Sequence, residues 1–272
     1  MNKQISTYFY NMAYTHVFHI IDTSFDEASI EDKRTYLYYG LLSAQRTYET
    51  ERFAAYMHAY VDTLSVEPLS PLQQFQFDFV SINELIEAND YATAKQRIEH
   101  CFDFIQQSTE DLHLEYALLT HDRAMLFMMQ QQLDDAIKQY NLLDEALLTM
   151  LLDEAPLYWN VIHGHLTSAY IRKKQWPTAL QIVTFIIEQS TVRMPLATTH
   201  SLIRQQFLTY LLYGEPLDFE QCSKLHTRLL FKNKFILNTL YTDLTVMISA
   251  IEDEDVRQQA NDWLLSCQNV DF

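Results

Sequence analysis

One short pattern recurs three times along the chain: EANDYATA at 87–94, MQQQLDDA at 129–136 and RKKQWPTA at 172–179. Each copy joins two stretches of helical periodicity. Each also places a large side chain (Tyr91, Leu133, Trp176) three positions before an alanine (Ala94, Ala136, Ala179). In a tight turn between packed helices the large residue fills the corner, and the alanine lets the second helix approach the first. The alanines recur after 42 and then 43 residues, and a period of that size predicts a helical solenoid. Three glycines and six prolines in 272 residues are too few for the turns of strand-rich or α/β folds, so an all-α chain is expected. Isolated glycines at 40, 164 and 214 also cannot build a dinucleotide fingerprint or a phosphate-cradling loop.

Thirty-six acids against 19 bases leave a net charge of −17. Such a chain is repelled by phosphate backbones and anionic membranes, so direct nucleic-acid or membrane binding is not expected, whereas a basic or neutral peptide can bind. The acidity can equally serve solubility alone. Cys101, Cys222 and Cys267 lie in apolar helical patterns and read as buried free thiols in a reducing compartment. The first 21 residues show neither the apolar core nor the cleavage site of a signal peptide, and no apolar run is long enough to cross a bilayer. A soluble cytoplasmic protein is expected.

Periodicity and breaks divide the chain as follows. An opening helix is expected over 2–22, then pairs at 33–49 with 49–64, 70–88 with 91–107, and 110–131 with 133–151. Further pairs follow at 156–174 with 176–190, 197–213 with 217–231, and 234–250 with 254–267. ETERFAAYM at 49–57 reads as a fourth corner, with Phe53 filling it and Tyr56 in the alanine's place, and Phe219 with Cys222 as a fifth. Ser70 and Pro71 suit a helix cap and first turn, and Gly214 suits a helix stop. The whole of 1–272 is expected to be one domain, with 1–32 a capping helix and connector, 33–231 the repeats, and 232–272 a closing pair.

These residues resemble the tetratricopeptide repeat. Asn89-Asp90-Tyr91 with Ala94 carries the likeness in one pair. Ala124, Phe127, Leu133, Ala136 and Tyr140 carry it in the next, and Leu166, Tyr170, Trp176 and Ala179 in the one after. The period exceeds the family's usual ~34 residues. Longer helices of this kind look like the regulatory domains of the bacterial peptide-pheromone receptors of the Rgg, PlcR and Rap (RRNPP) group. The resemblance implies a right-handed superhelical solenoid of about six helix pairs that binds a short peptide in its concave groove and serves quorum sensing or transcription regulation. Residues 1–35 are too short and too acidic for that group's DNA-reading helix-turn-helix, so a receptor or regulatory module without one is implied.

In such arrays the first helix of each pair lines the groove, where amides satisfy a peptide backbone and apolar pockets take its side chains. With the corners setting the register, Gln45 and Tyr48 face inward, then Phe79, Asn83 and Ile86, then His121, Met125 and Met128. Ser168, Ile171 and Arg172 follow, with Arg204 and Phe207. Asn83 is an amide within an apolar run; it holds a peptide backbone, bonds a neighbouring helix or faces water. Arg172 and Arg204 suit a peptide carboxylate or pair with local acids. Met125, Met128, Met129 and Met150 form an adaptable surface or simply core.

His163-Gly164-His165 and the His16/His19 pair invite a metal reading, but the first has residues two apart on a helix and the second lacks partner ligands. His121-Asp122 are sequence neighbours that do not face each other on a helix, and no activated nucleophile accompanies them. No catalytic residue, metal or cofactor is therefore expected. The alternative function is a scaffold for a protein partner or a homodimer, using aromatics such as Tyr8, Phe9, Tyr10, Phe231 and Phe235.

Overall fold

A computed structural model describes residues 2–10, 13–47, 49–109, 112–190, 195–230 and 234–269. Among these residues the regular structure is entirely helical. The elements are α1 (Asn2–Tyr10), α2 (Tyr14–Ser24), α3 (Ile30–Thr47), α4 (Thr50–Thr63), α5 (Pro71–Glu87), α6 (Tyr91–Gln107), α7 (His113–Met129) and α8 (Leu133–Tyr140). There follow α9 (Glu145–Glu154), α10 (Pro156–Arg172), α11 (Trp176–Ser190), α12 (Pro195–Tyr213), α13 (Phe219–Leu230), α14 (Lys234–Ser249) and α15 (Glu254–Gln268). No described helix is long and apolar enough to cross a membrane.

The three repeated corners share one backbone design. Asn89, Gln131 and Lys174 each adopt a left-handed conformation, at φ 61°, 61° and 56°, two residues before Tyr91, Leu133 and Trp176. Their N–H groups donate to the carbonyls of Ile86, Met128 and Ile171, and the next N–H groups (Asp90, Gln132, Gln175) reach back to Leu85, Phe127 and Tyr170 at 2.8–2.9 Å. That pair of bonds satisfies carbonyls a helix end otherwise leaves orphaned. Asp90, Gln132 and Gln175 then start the second helix, their carbonyls accepting from the N–H of Ala94, Ala136 and Ala179 at 3.0 Å. All three alanines are fully buried, so one residue closes both the helix start and the helix–helix contact.

Two further corners follow the same register. Cys222 donates its N–H to the Asp218 carbonyl at 2.9 Å and is fully buried, so Phe219 and Cys222 stand where Tyr91 and Ala94 do. In the first pair, Glu49 N–H reaches Ala44 and Phe53 N–H reaches Glu49. Glu49 is therefore the equivalent of Asp90, and Thr50 and Phe53 hold the filling and alanine positions. This corrects the expected Phe53 and Tyr56 by three residues. The physical reason lies on the facing helices: a Cβ at Gly40 would meet Ile21 Cδ1 at 2.6 Å and the Tyr56 ring at 2.9 Å. Here the small residue that permits close approach sits on the first helix of the pair, so the second can carry aromatics.

Two expected helices are interrupted. The opening helix ends at Tyr10 and resumes at Tyr14, burying Ile5 and Phe9 on one piece and Val17, Phe18 and Ile21 on the other. The helix expected over 133–151 stops at Tyr140. Asp144 then caps a new one, its side chain accepting the Leu147 N–H at 2.8 Å, because a short acid bonds the backbone locally more readily than it sits mid-helix. Ser70 caps α5 as expected: its hydroxyl accepts the Gln73 N–H, the Gln73 side chain accepts the Ser70 N–H, and Pro71 occupies the first position.

The chain divides into two compact units, Met1–Tyr158 and Trp159–Phe272. In the first, α3 packs on α4 and α5, α5 on α6 and α7, and α7 on α8 and α9, so successive first helices touch as well as partners within a pair. In the second, α12 packs on α11, α13 and α14, and α15 on α13 and α14. That core runs from Ile171, Ala179 and Val183 through Phe207 and Leu240 to Trp263 and Cys267.

Candidate functional site

The corner register makes certain positions equivalent. Asn83, Met125 and Ser168 each lie seven residues before the start of the second helix. Phe79, His121 and Gly164 lie eleven before, and Ile86, Met128 and Ile171 four before. The four-before residues are all buried, because that position sits in the last turn of the first helix and faces its partner. Phe79 is also buried, stacked 6.0 Å from Phe75, and Phe207 packs 5.7 Å from Trp263. Phe79, Ile86, Met128, Ile171 and Phe207 thus belong to the packing between helices and present no surface to a ligand. Helical spacing alone does not separate a groove-lining stripe from the stripe that meets a partner helix.

Gln45, Asn83, Met125 and Arg172 are half-exposed. The Gln45 amide donates to the Val80 carbonyl at 3.0 Å and to Glu84 at 3.3 Å, tying α3 to α5. Asn83, one turn beyond Val80, makes no hydrogen bond among the described residues, and neither does Gln76, seven residues earlier on the same face of α5. Gln76 was not expected; its spacing from Asn83 was the available signal. Met129 is exposed and Met150 half-buried. Tyr48 and Phe231 lie outside the described residues, as does the side chain of Phe235.

In the first unit an aromatic cluster surrounds two charges. Phe9 lies 5.6 Å from Tyr39 and 6.1 Å from Tyr158, and Tyr10 lies 6.2 and 6.5 Å from the same two rings. Phe9 is therefore core rather than an exposed docking aromatic, and Tyr8 and Tyr10 are half-buried. Burial, then the neighbouring Tyr39, Tyr38, Glu115 and Tyr158, push the Tyr10 phenol far above its ordinary range. Arg46 stands over the Tyr158 ring at 5.2 Å, and burial pushes that phenol up to about 12 with Arg46 opposing. Asp122 is buried, and its Oδ2 has no hydrogen-bond partner among the described residues. Burial raises its carboxyl to about 7 although the Arg46 charge pulls the other way. Beside it, buried His121 meets the Tyr140 hydroxyl at 3.1 Å. Its pKa is lowered to about 3, by burial first and Arg46 second, so the ring is neutral.

In the second unit Ser168 and Arg204 do come together, around a residue the sequence reading missed. Arg204 and Asp243 form a fully buried ion pair. Ser168 Oγ donates to Asp243 Oδ2 at 2.8 Å, while Arg204 Nη2 donates to that same carboxylate oxygen and, at 2.8 Å, to Ser168 Oγ. Asp243 Oδ1 and the Nε atoms of Arg204 and Arg172 have no partner among the described residues. An acid inside the apolar run Leu240–Ile248 was as visible a signal as Asn83. A polar depression of about 410 Å³ lies between α12 and the 214–218 connection, where Gln206 bonds Gln221 and the Asp218 N–H.

The histidine pairs take structural or surface places. His163 Nδ1 donates to the Trp159 carbonyl at 2.8 Å, its ring 4.1 Å from that indole, and His165 is buried. His16 stacks on Tyr8 at 4.9 Å. Among the described residues no three His, Cys, Asp or Glu side chains converge as a metal site. The three cysteines are buried and free, with burial raising all three thiols, Cys222 to about 12 and Cys267 to about 11. No protein family profile, curated protein or solved structure matches the chain.

Proposed function

We propose that this chain is a non-catalytic regulatory protein that binds a short peptide along α5, with the Asn83 amide holding the peptide backbone. The observation that carries the reading is that Asn83, a helix-disfavoured amide, stands half-exposed with no hydrogen bond among the described residues, while the Gln45 amide nitrogen donates to Val80 and Glu84 of the same helix. Gln76 on the same face offers a second free amide, and Met125 at the equivalent position of α7 an adaptable apolar contact. One corner geometry at three places, with the same buried-residue register at two more, supports helix pairs of tetratricopeptide type. A role like that of the peptide-pheromone receptors rests on that likeness.

Calorimetry with short apolar peptides tests the reading. Binding that weakens about tenfold in Asn83→Ala, the worth of one good hydrogen bond, supports it; unchanged affinity in that variant sinks the assignment. The second reading is a scaffold for a protein partner or a second copy, without a small ligand. The observation favouring it is that Phe9 and Tyr10 of α1 already pack against Tyr39 of α3 and Tyr158 of α10, occupying aromatic surface a ligand would otherwise meet.

A further inference from the structure

Beneath the end of α4 lies a fully buried arginine whose five donors all go to the 63–73 stretch. Arg34 Nε donates to the Thr63 hydroxyl at 3.1 Å, Nη2 to the carbonyls of Thr63 and Glu67, and Nη1 to the Pro68 carbonyl at 3.2 Å and the Gln73 side chain at 2.8 Å. Burying a guanidinium is costly unless every donor is satisfied, and here that satisfaction fixes the path of one surface turn. Successive turn bonds, Leu64 N–H to Val61, Ser65 to Asp62 and Val66 to Thr63, add to its rigidity.

What this turn presents is apolar. Val61 is 48% exposed, Leu64 40% and Val66 68%, and these three supply three of the eight large apolar side chains that stand exposed among the described residues. The other five are scattered singly along the chain. Lone exposed aliphatics need no explanation, but three within six residues, on a turn held rigid from below, read as a preformed contact surface.

Charge selects the occupant. The first unit carries 25 acids against 9 bases and the second 11 against 10, which together make the 36 and 19 of the whole chain. The acidity of this protein is therefore an attribute of the unit that bears the apolar turn. Five of its nine bases are already paired with its own acids: Arg52 with Glu49 and Asp22, Arg97 with Asp78, Arg123 with Glu99, Lys138 with Asp135, and the buried Arg34 with Glu67. Asp62 and Glu67 flank the apolar side chains and are exposed. A second copy would bring like charge to this face, whereas a basic segment gains from it.

We propose that Val61, Leu64 and Val66 form a preorganised docking knuckle for an apolar partner segment flanked by lysines or arginines. It is distinct from the amide face of α5 and does not depend on peptide binding there. Fluorescence anisotropy on the full chain tests it, with a labelled amphipathic leucine/lysine helix as probe and its leucine/glutamate counterpart as control. The basic probe binds, added salt weakens it, and the double variant Leu64→Ser/Val66→Ser weakens it by about tenfold or more, as removal of central apolar anchors does. Leu265→Ser, an equally exposed change in the second unit, leaves it unaltered, and amide exchange slows at 61–69 on binding. Both altered residues are exposed, and an unchanged melting curve verifies that the double variant folds. The proposal is overturned if the double variant binds like the parent, if the acidic probe binds equally, or if the basic probe does not bind. It is overturned too if the parent forms a dimer that the double variant loses, since the occupant is then a second copy.

Discussion

His121 and Asp122, neighbours on α7, oppose each other in their effect on stability, and separating them is a direct test of the buried cluster. Asp122 has an ordinary pKa of 3.8 and a folded one of about 7. Between those values the folded state keeps a proton the unfolded state has released, so this residue makes stability fall as pH rises, and the loss is complete once pH passes the folded value. The interval corresponds to roughly 4 kcal/mol. His121 runs the other way, from an ordinary 6.5 to about 3 when folded. The unfolded state binds the extra proton there, so stability is lost as pH falls below 6.5. From pH 5 to 6.5 the two slopes cancel in the parent. Asp122→Asn removes one of them: the stability of this variant minus that of the parent increases by about 1.4 kcal/mol per pH unit from pH 5 to 7, then levels. His121→Gln gives a difference that declines over pH 5–6.5, and the double variant restores the flat difference. Urea denaturation at half-unit intervals measures all four proteins. A difference for Asp122→Asn that stays level across this window would show the carboxylate ionising as if in water, and would refute the account of its burial.

Three other outcomes follow from the packing. Gln131→Gly and Lys174→Gly relieve a left-handed strain of about 1–2 kcal/mol at the cost of some unfolded-state entropy, so each raises stability by roughly 0.5–1 kcal/mol in thermal melts, while Asn89→Gly changes little. Gly40→Ala drives a methyl into Ile21 Cδ1 and Tyr56 and destabilises by about 1–3 kcal/mol; Ile21→Val recovers part of that in a double-mutant cycle, and full additivity would mean the contact is not made. Arg204→Met strands the Asp243 carboxylate and lowers stability by roughly 3–5 kcal/mol, whereas Arg204→Met with Asp243→Leu recovers most of it in denaturant titrations.

Much of the local structure was legible because short-range chemistry decides it. Ser70-Pro71, Gly214 and the spacing of Tyr91, Leu133 and Trp176 from their alanines depend on hydrogen bonds that close within a few residues, so the helix starts and the shared corner could be read directly. The first-pair corner was misread because Phe53 has the size of a corner residue, and the glycine that frees it to sit elsewhere is on α3. The break at 141–144 needed the choice between continuing a helix and capping with Asp144, a near balance that the burial of Tyr140 and Leu143 helps to settle.

The candidate site was less legible. Helical periodicity marks a buried stripe without saying what covers it, so Ile86, Met128 and Phe207 read as groove residues until the partner helices were in place. Ser168 and Arg204 were singled out for their chemistry, yet their role depends on Asp243, 75 and 39 residues away in the chain. The sequence by itself determined that this chain is helical, where most of its helices begin, and how the three repeated corners turn, because backbone hydrogen bonding and steric size act locally. The tertiary structure decided which polar side chains are satisfied by one another and which remain free, as Asn83 does, because burial and pairing are properties of residues brought together from different helices.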